Sequence, residues 1–453
     1  MIDELEWVRH ERPEVEPPSE EARTAARRAL DVAIAAERSP RRSRASRRSP
    51  MCPAHVAAAI GLLVVAAVVV VFVGLQRHRP TGAAARGGFE LVYQAEATAA
   101  VPVVNQAAIA RTLSLIRQRI AAILPGTTNV VLSSSGNRIF VHVSGGTRIS
   151  RGELMRLVGT SGRLFFYDWE ANALTPTGKP VASLLTTQDP AALEISQGGS
   201  TGPGAPGAGS MGLYRAVALA AKQPYEASQD NSRPSPEYFA FGAPGSAACA
   251  RAATYYGVSP VVGQHCYLAG PLESRSDLAS ALPPGVSSSQ AQVLTVQRGT
   301  VVLQAVPASY GEAPAWSDPS AQYFVLRDNV ALFGTDITNP TRGTDVSRAP
   351  DVTFGFTARG AAAFQNLTAQ IAHRGDIVSG FGQQLNQHFA VVVDTQLITV
   401  PSIDFKTYPN GIPGSSGGDL TGNFTVSSAR ALATELRLGA LPVNLKLISS
   451  ASS

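Results

Sequence analysis

The longest apolar run is 56–75, VAAAIGLLVVAAVVVVFVGL, twenty residues with no charge and no proline. About 20 apolar residues in a helix cover a hydrocarbon core of ~30 Å, and a helix satisfies its own backbone groups there. The run lacks the polar stripe of a half-buried helix, so it predicts a transmembrane helix over 54–76. Beyond it the pattern breaks into short periodic pieces. Residues 89–95 (FELVYQA) alternate and predict a strand. Residues 106–123 place Ile109, Leu113, Ile116, Ile120 and Ile123 on one face, an amphipathic helix. Strands follow at 129–132 and 138–143, around the turn residues Ser134, Ser135, Gly136 and Asn137. A helix over 150–158 stops at Gly159, and 162–168 (GRLFFYD) predicts another strand.

The pattern resumes at 323. Strands are predicted at 323–326, 329–333 and 351–357, and a helix at 359–372. A hairpin joins 388–394 to 396–400 over Asp394 and Thr395. A strand at 419–426, a helix at 427–438 stopped by Gly439 and a last strand at 444–448 complete the chain. The fold class expected is α+β. The β-α-β-β-α-β order of the first block predicts a ferredoxin-like base over 86–171, closed by the C-terminal helix and strand of 422–453. An α+β head over 323–421 is inserted between them. Residues 172–322 are rich in Gly, Pro and Ser, and GGSTGPGAPGAGSMG has linker composition. No GK[ST] follows those glycines, so they form no phosphate loop. Excising 172–315 is expected to leave a folded remainder.

Charge gives a direction. Of the 453 residues 16% are charged, and six arginines crowd 38–53 (Arg38, Arg41, Arg42, Arg44, Arg47, Arg48) against Arg77, Arg79 and Arg86 beyond the apolar run. That asymmetry places the tail, 1–53, in the cytoplasm and the C-terminal domain on the extracytoplasmic side of the cell membrane. The helix then acts as a single-pass signal anchor. Residues 1–37 carry ten acids, and Ser19 can cap a short amphipathic helix running to about Glu37. Arginines beside a membrane helix suit anionic headgroups rather than nucleic acid.

Cys52, Cys249 and Cys266 form no zinc-ligand spacing. Cys249 and Cys266 either pair as one disulfide in an oxidising compartment or stay as two buried thiols. The histidines show no H-x-x-x-H spacing, and no catalytic, metal-binding or cofactor-binding residue is expected. His373, Arg374 and Asp376 fall at a predicted helix end, where a cation suits the dipole.

Two blocks carry a resemblance. Arg86, Gly87 and Gly88 precede the first strand, and LSLIRQRI, a strand pair and GTSGRLFFYD follow in order. Later come VTFGFTARGAAAF, VVVDTQLITVPSI with Pro401, and GNFTVSSARALATELRLGALP. The last run holds Gly422, Asn423, Phe424, Thr425, Gly439, Ala440, Leu441 and Pro442. These stretches resemble the extracytoplasmic P1 domain of SecD, the accessory membrane subunit of the protein-export translocon. Thr395 stands where that pattern has a turn glycine. The named residues are read as fold residues.

The resemblance implies a non-enzymatic export accessory that binds or releases translocating, unfolded polypeptide. It also implies as partner the Sec translocon or a multi-spanning SecD/SecF-type membrane protein. SecD proteins continue into five more membrane helices that couple export to proton flow. No apolar run follows in this sequence, so it is expected to lack a proton relay of its own. The tail resembles actinobacterial single-pass proteins that pair with sigma factors, which implies the alternative. That alternative is a signalling protein with a SecD-like sensor head and a cytoplasmic regulator bound by residues 1–50.

Overall fold

The computed structural model describes residues 88–98, 101–124, 129–144, 151–198, 209–228, 236–305, 316–345, 347–380, 385–422 and 424–452. The 1–53 tail, the 54–76 span with its flanks, Cys52, Arg86, Gly87, Asn423 and, within the Gly/Pro-rich segment, 199–208, 229–235 and 306–315 lie outside them. Among the described residues no helix is long and apolar enough to cross a membrane.

The fold is mixed α and β, with several sheets. Strand β1 (Phe89–Glu96) alternates and buries Leu91, Tyr93 and Ala95. Helix α1 (Gln106–Ile123) lays its apolar stripe over them, capped by the Asn105 side chain, which accepts from the Ala108 amide at 2.9 Å. β2 (Val130–Ser135), β3 (Arg138–Val143) and α2 (Arg151–Gly159) follow. The sheet is antiparallel with the order β17-β1-β3-β2, and β17 (Asn444–Ser452) comes from the far end of the chain.

The strand at 162–168 does not join this sheet. As β4 (Leu164–Asp168) it is buried at every position, and such a strand needs cover on both faces. It therefore lies inside a seven-stranded sheet, and β17, half-buried from Asn444 to Leu447 and exposed at Ile448 and Ser449, takes the edge place beside β1. The larger sheet has the order β10-β4-β13-β14-β8-β9, with β15 beside β13. Its strands are β8 (Thr300–Ala305), β9 (Tyr323–Arg327), β10 (Val330–Phe333), β13 (Gln387–Val393), β14 (Gln396–Thr399) and β15 (Ser402–Ile403). Only the β14–β8 pair is parallel.

Alternate residues of β4 and β13 feed two cores. Leu164, Phe166, Val391 and Val393 pack against Phe364 and Ile371 of α9 (Ala358–Ser379). The same core takes in the three-stranded sheet of β11 (Ile337–Thr344), β12 (Pro350–Phe356) and β16 (Gly418–Leu420). Phe165, Tyr167, Ala390 and Val392 face the other way, onto α3 (Trp169–Asn172), α4 (Ala182–Leu185) and α5 (Pro190–Gly198).

Helix α10 (Val426–Leu438) serves two layers. Ala429, Leu432 and Leu436 enter the core of the larger sheet, and Ala431 enters the core under β1.

Much of 172–322 is built into the fold. α6 (Leu213–Ala220), α7 (Ala247–Tyr256) and α8 (Arg275–Ser280) pack around a sheet β6-β5-β7. Its strands are β5 (Glu237–Gly242), β6 (Cys266–Leu272) and β7 (Ala291–Val296). Cys249 on α7 and Cys266 on β6 form a disulfide with Cα atoms 5.6 Å apart. Ala216 and Val217 of α6 share a core with Val302 of β8 and Tyr323 and Val325 of β9. The segment therefore contributes a strand to the larger sheet, which its composition does not reveal.

Excising 172–315 removes β8 from between β14 and β9 and uncovers Phe324, Leu326 and Leu397. Each such side chain is worth about 1.5–3 kcal/mol of burial against a typical net stability of about 5–15 kcal/mol. Loss of the cooperative thermal transition is expected, read by calorimetry; a sharp transition near that of the full chain would contradict the assignment.

Candidate functional site: the base–head junction and a buried charge network

The chain passes between the four-stranded sheet and the larger one at 160–163 and again at 439–443. Both crossings close on one side chain. Arg119 sits on the apolar face of α1, three residues after Ile116 and four before Ile123, and is 0% exposed. Its guanidinium donates to the carbonyl oxygens of Thr160 (2.6 Å), Ser161 (2.9 Å) and Gly439 (3.2 Å). A buried cation needs such acceptors, because charge taken out of water without partners costs several kcal/mol. Gly162 (φ 77°) runs so close that a Cβ there would lie 2.7 Å from Nη2 of Arg119. The Leu441 amide donates to the Ser161 carbonyl, tying the crossings to each other. On the head side the Asp394 carboxylate accepts from the amides of Gly162 (3.1 Å) and Arg163 (3.0 Å).

The second cluster lies within the head. Glu170 of α3 is wholly buried. Its Oε1 accepts from Ser196 Oγ on α5 (3.0 Å) and lies 2.6 Å from His388 Nδ1 on β13. Its Oε2 accepts from the His388 amide (2.9 Å) and lies 3.5 Å from Arg374. The Arg374 guanidinium grips Asp168 through both carboxylate oxygens (2.9 and 2.5 Å) and donates to Gln387 (3.1 Å). Burial pushes the Asp168 carboxyl up, and Arg374 opposes that rise. The helix predicted to end near 372 runs to Ser379, so Arg374 is not a dipole complement at a terminus. It turns inward to Asp168 because two neighbouring buried carboxylates need a cation.

Of the sequence-predicted family residues, Gly439, Ala440, Leu441 and Pro442 lie at the second crossing, and the other described ones lie elsewhere. Gly88 is buried at the entry to β1. The Pro401 carbonyl accepts from the Phe389 amide, holding the turn between β14 and β15 against β13. The Gly422 carbonyl accepts from the Phe424 amide, and the Phe424 ring fills the α9 core. Thr425 caps α10, accepting from the Ser428 amide at 3.0 Å. Gly439 (φ 76°) ends α10 and offers its carbonyl to Arg119, while Ala440 is exposed. Leu441 enters the core under β1, and the Pro442 carbonyl accepts from Thr98 Oγ1 (2.8 Å). The sequence reading missed Arg119, although an arginine inside an apolar stripe was a visible signal. It also missed Glu170 and His388, which are ordinary polar residues until the fold joins them.

A cleft of about 200 Å³ opens where the base, the larger sheet and the 172–322 segment meet, with Glu96, Glu273, Asn444 and Phe165 in its lining. Burial pushes the Glu96 carboxyl up; Lys446, 3.9 Å away, pulls it down, and Glu273 and Asp277 add to the rise. Burial and Asp277 raise Glu273 in the same sense.

Comparison with known proteins defines the class of the head. Residues 310–443 match the SecDF P1 head subdomain. The chain carries a SecD-like P1 domain. Relatives are protein translocase subunits SecD: that of Rickettsia typhi is 34% identical over 130 residues, 29% of this chain and 21% of the relative. That of Rhodobacter capsulatus is 33% identical over 126 residues, 28% of this chain and 19% of the relative. The chain thus spans about a fifth of the length of the curated relatives it matches. The crystal structure of SecDF in its super-membrane-facing form aligns with a TM-score of 0.35 and 16% identity, covering 87% of this chain and 34% of that one. A structure of SecDF described as a membrane component that enhances protein export gives 0.33 and 15%, covering 80% and 98%.

Arg119→Leu should remove three hydrogen bonds to half-buried carbonyls and lower stability by about 3–5 kcal/mol, measured by denaturant unfolding. A loss below about 1 kcal/mol would show that the guanidinium holds nothing together. Glu170→Leu should cost a similar amount, since it leaves Arg374 and His388 facing an apolar group.

Glu96 binds its proton more tightly folded than unfolded. Its contribution to stability is therefore complete below the ordinary glutamate range and is lost as pH rises through the raised value. Glu96→Gln should melt higher than the natural chain at neutral pH and level with it at pH ~4. An unchanged difference between the two pH values would contradict the shift.

Proposed function

We propose that this protein is a membrane-anchored accessory of protein export, without catalytic chemistry of its own. Its extracytoplasmic domain binds or releases polypeptide beside the Sec translocon or a multi-spanning SecD/SecF-type partner. The observation that carries this reading is the match of 310–443 to the SecDF P1 head subdomain. Within that span lie β9 to β16, α9 and α10, so the matched part includes the core of the head.

The other features fit the same reading. The β17-β1-β3-β2 order, with α1 against α10, supports a ferredoxin-like base. The apolar 54–76 span anchors it, with residues 1–53 in the cytoplasm. The Cys249–Cys266 disulfide suits an oxidising extracytoplasmic compartment. Two crossings gathered on one arginine, with Gly162 and Gly439 at positive φ, make a natural hinge between base and head. A head that swings on such a hinge can take hold of an emerging chain and let it go.

The test is a C-terminal tag, cross-linking in intact cells, purification from membranes and mass spectrometry of what is captured. Translocon subunits and exported chains are the expected partners. Capture of a sigma factor or another cytoplasmic regulator instead, lost on deleting 1–50, would overturn the export reading.

A further inference from the structure

The matched P1 head covers almost none of the disulfide-braced subdomain, which holds the larger of the two clefts described here. This cleft, about 340 Å³, lies between α6, α7, the start of β6 and residues 316–319. The volume falls within the range that binds organic ligands. Its lining is aromatic: the Tyr214 and His265 rings stack with centroids 3.7 Å apart, and Phe241, Tyr267 and Trp316 line it with them. Trp316 is held in place by stacking on Tyr323 and meeting Phe239 edge-on. The disulfide closes one wall, so the shape is preformed.

Three features say what would fill it. First, the lining is mixed: beside the rings it carries Arg215, which is exposed, with Ser259, Gln264, Ser317 and Asp318, whose Oδ1 is engaged by the amide and hydroxyl of Ser320. A guest with both apolar side chains and hydrogen-bonding groups matches that mixture. Second, the apolar surface does not stop at the mouth. Val261, in the lining, is 41% exposed and its neighbour Val262 98%, both on the α7–β6 connection that borders the cleft as its rim. A compact ligand would leave that rim uncovered, whereas a chain of several residues would cover it. Third, Tyr214 and His265 are positioned from behind, by Tyr214 Oη donating to Gln292 and by His265 Nδ1 against the Gly242 carbonyl, which only accepts.

We propose that this cleft is a second polypeptide-binding site, taking an extended unfolded segment that seats an aromatic or branched apolar side chain between Tyr214, His265 and Trp316 and runs over Val261 and Val262. The proposal rests on the export reading for its substrate class. The site belongs to the 172–322 segment rather than to the head.

Trp316 supplies the readout. The full chain in lipid nanodiscs is titrated with a reduced, carboxymethylated unfolded protein, and with a fifteen-residue peptide bearing a tyrosine or leucine at every third position. Trp316→Phe identifies that residue's share of the fluorescence. A saturable change carried by Trp316 is expected, absent with a glycine–serine peptide. Val262→Asp, at a position too exposed to affect folding, should weaken binding about tenfold, and Tyr214→Ala at least as much. Thermal melts check that both variants fold. Binding that both variants leave unchanged, or no Trp316 signal with either probe, would overturn the proposal, as would a response to free tyrosine equal to that of the peptide. Partner capture in cells is read separately. Translocon capture without a Trp316 response refutes the cleft alone, and a Trp316 response without translocon capture refutes the export reading and leaves the cleft as a peptide site.

Discussion

The Arg119 guanidinium is the point on which the arrangement of base and head depends. It is fully buried on a base helix, and its acceptors are the main-chain carbonyls of the two segments that lead out to the head and back. Main-chain oxygens cannot be moved by a rotamer change, so these bonds hold the two crossings to one another. This is why Gly162 lies against it, where no Cβ could fit, and why α10 must end at Gly439 with its carbonyl turned toward the base.

The head answers a similar problem with a different solution. A sheet covered on both faces has little water to solvate polar side chains at the ends of its inner strands, yet Asp168, Glu170, Arg374 and His388 meet there. Each carboxylate is held by a cationic or ring nitrogen, and Ser196 and Gln387 take further bonds. Buried ionic clusters contribute little net stability against apolar packing of the same volume, but they punish wrong arrangements. Here the cluster fixes how α5 and α9 dock on β4 and β13. It thereby sets where the 172–322 segment leaves the head.

The match to the SecDF P1 head subdomain covers 310–443, and the disulfide-braced sheet lies before it. That sheet's segment is bound to the larger sheet through β8 and through a core shared with β9.

Local periodicity was enough to read the base strands, α1, α9 and α10 with its Thr425 cap and Gly439 stop, because each depends on neighbours within a turn or two. The motif run ending LRLGALP was legible for the same reason, and it carried the resemblance to SecD. The sequence left the pairing of Cys249 with Cys266 open, because separation along the chain does not state distance. It also could not show that Leu164–Asp168 leaves the base for the larger sheet, although it did expect the C-terminal strand beside β1, since pairing across the chain is decided by which strand needs cover on both faces. Nor could it assemble Glu170, Ser196, Arg374 and His388, whose partners lie up to 218 residues away. The sequence by itself determined the local elements and their family likeness. The tertiary structure alone decided which buried charges meet, because electrostatic satisfaction is a property of positions in space and not of order along the chain.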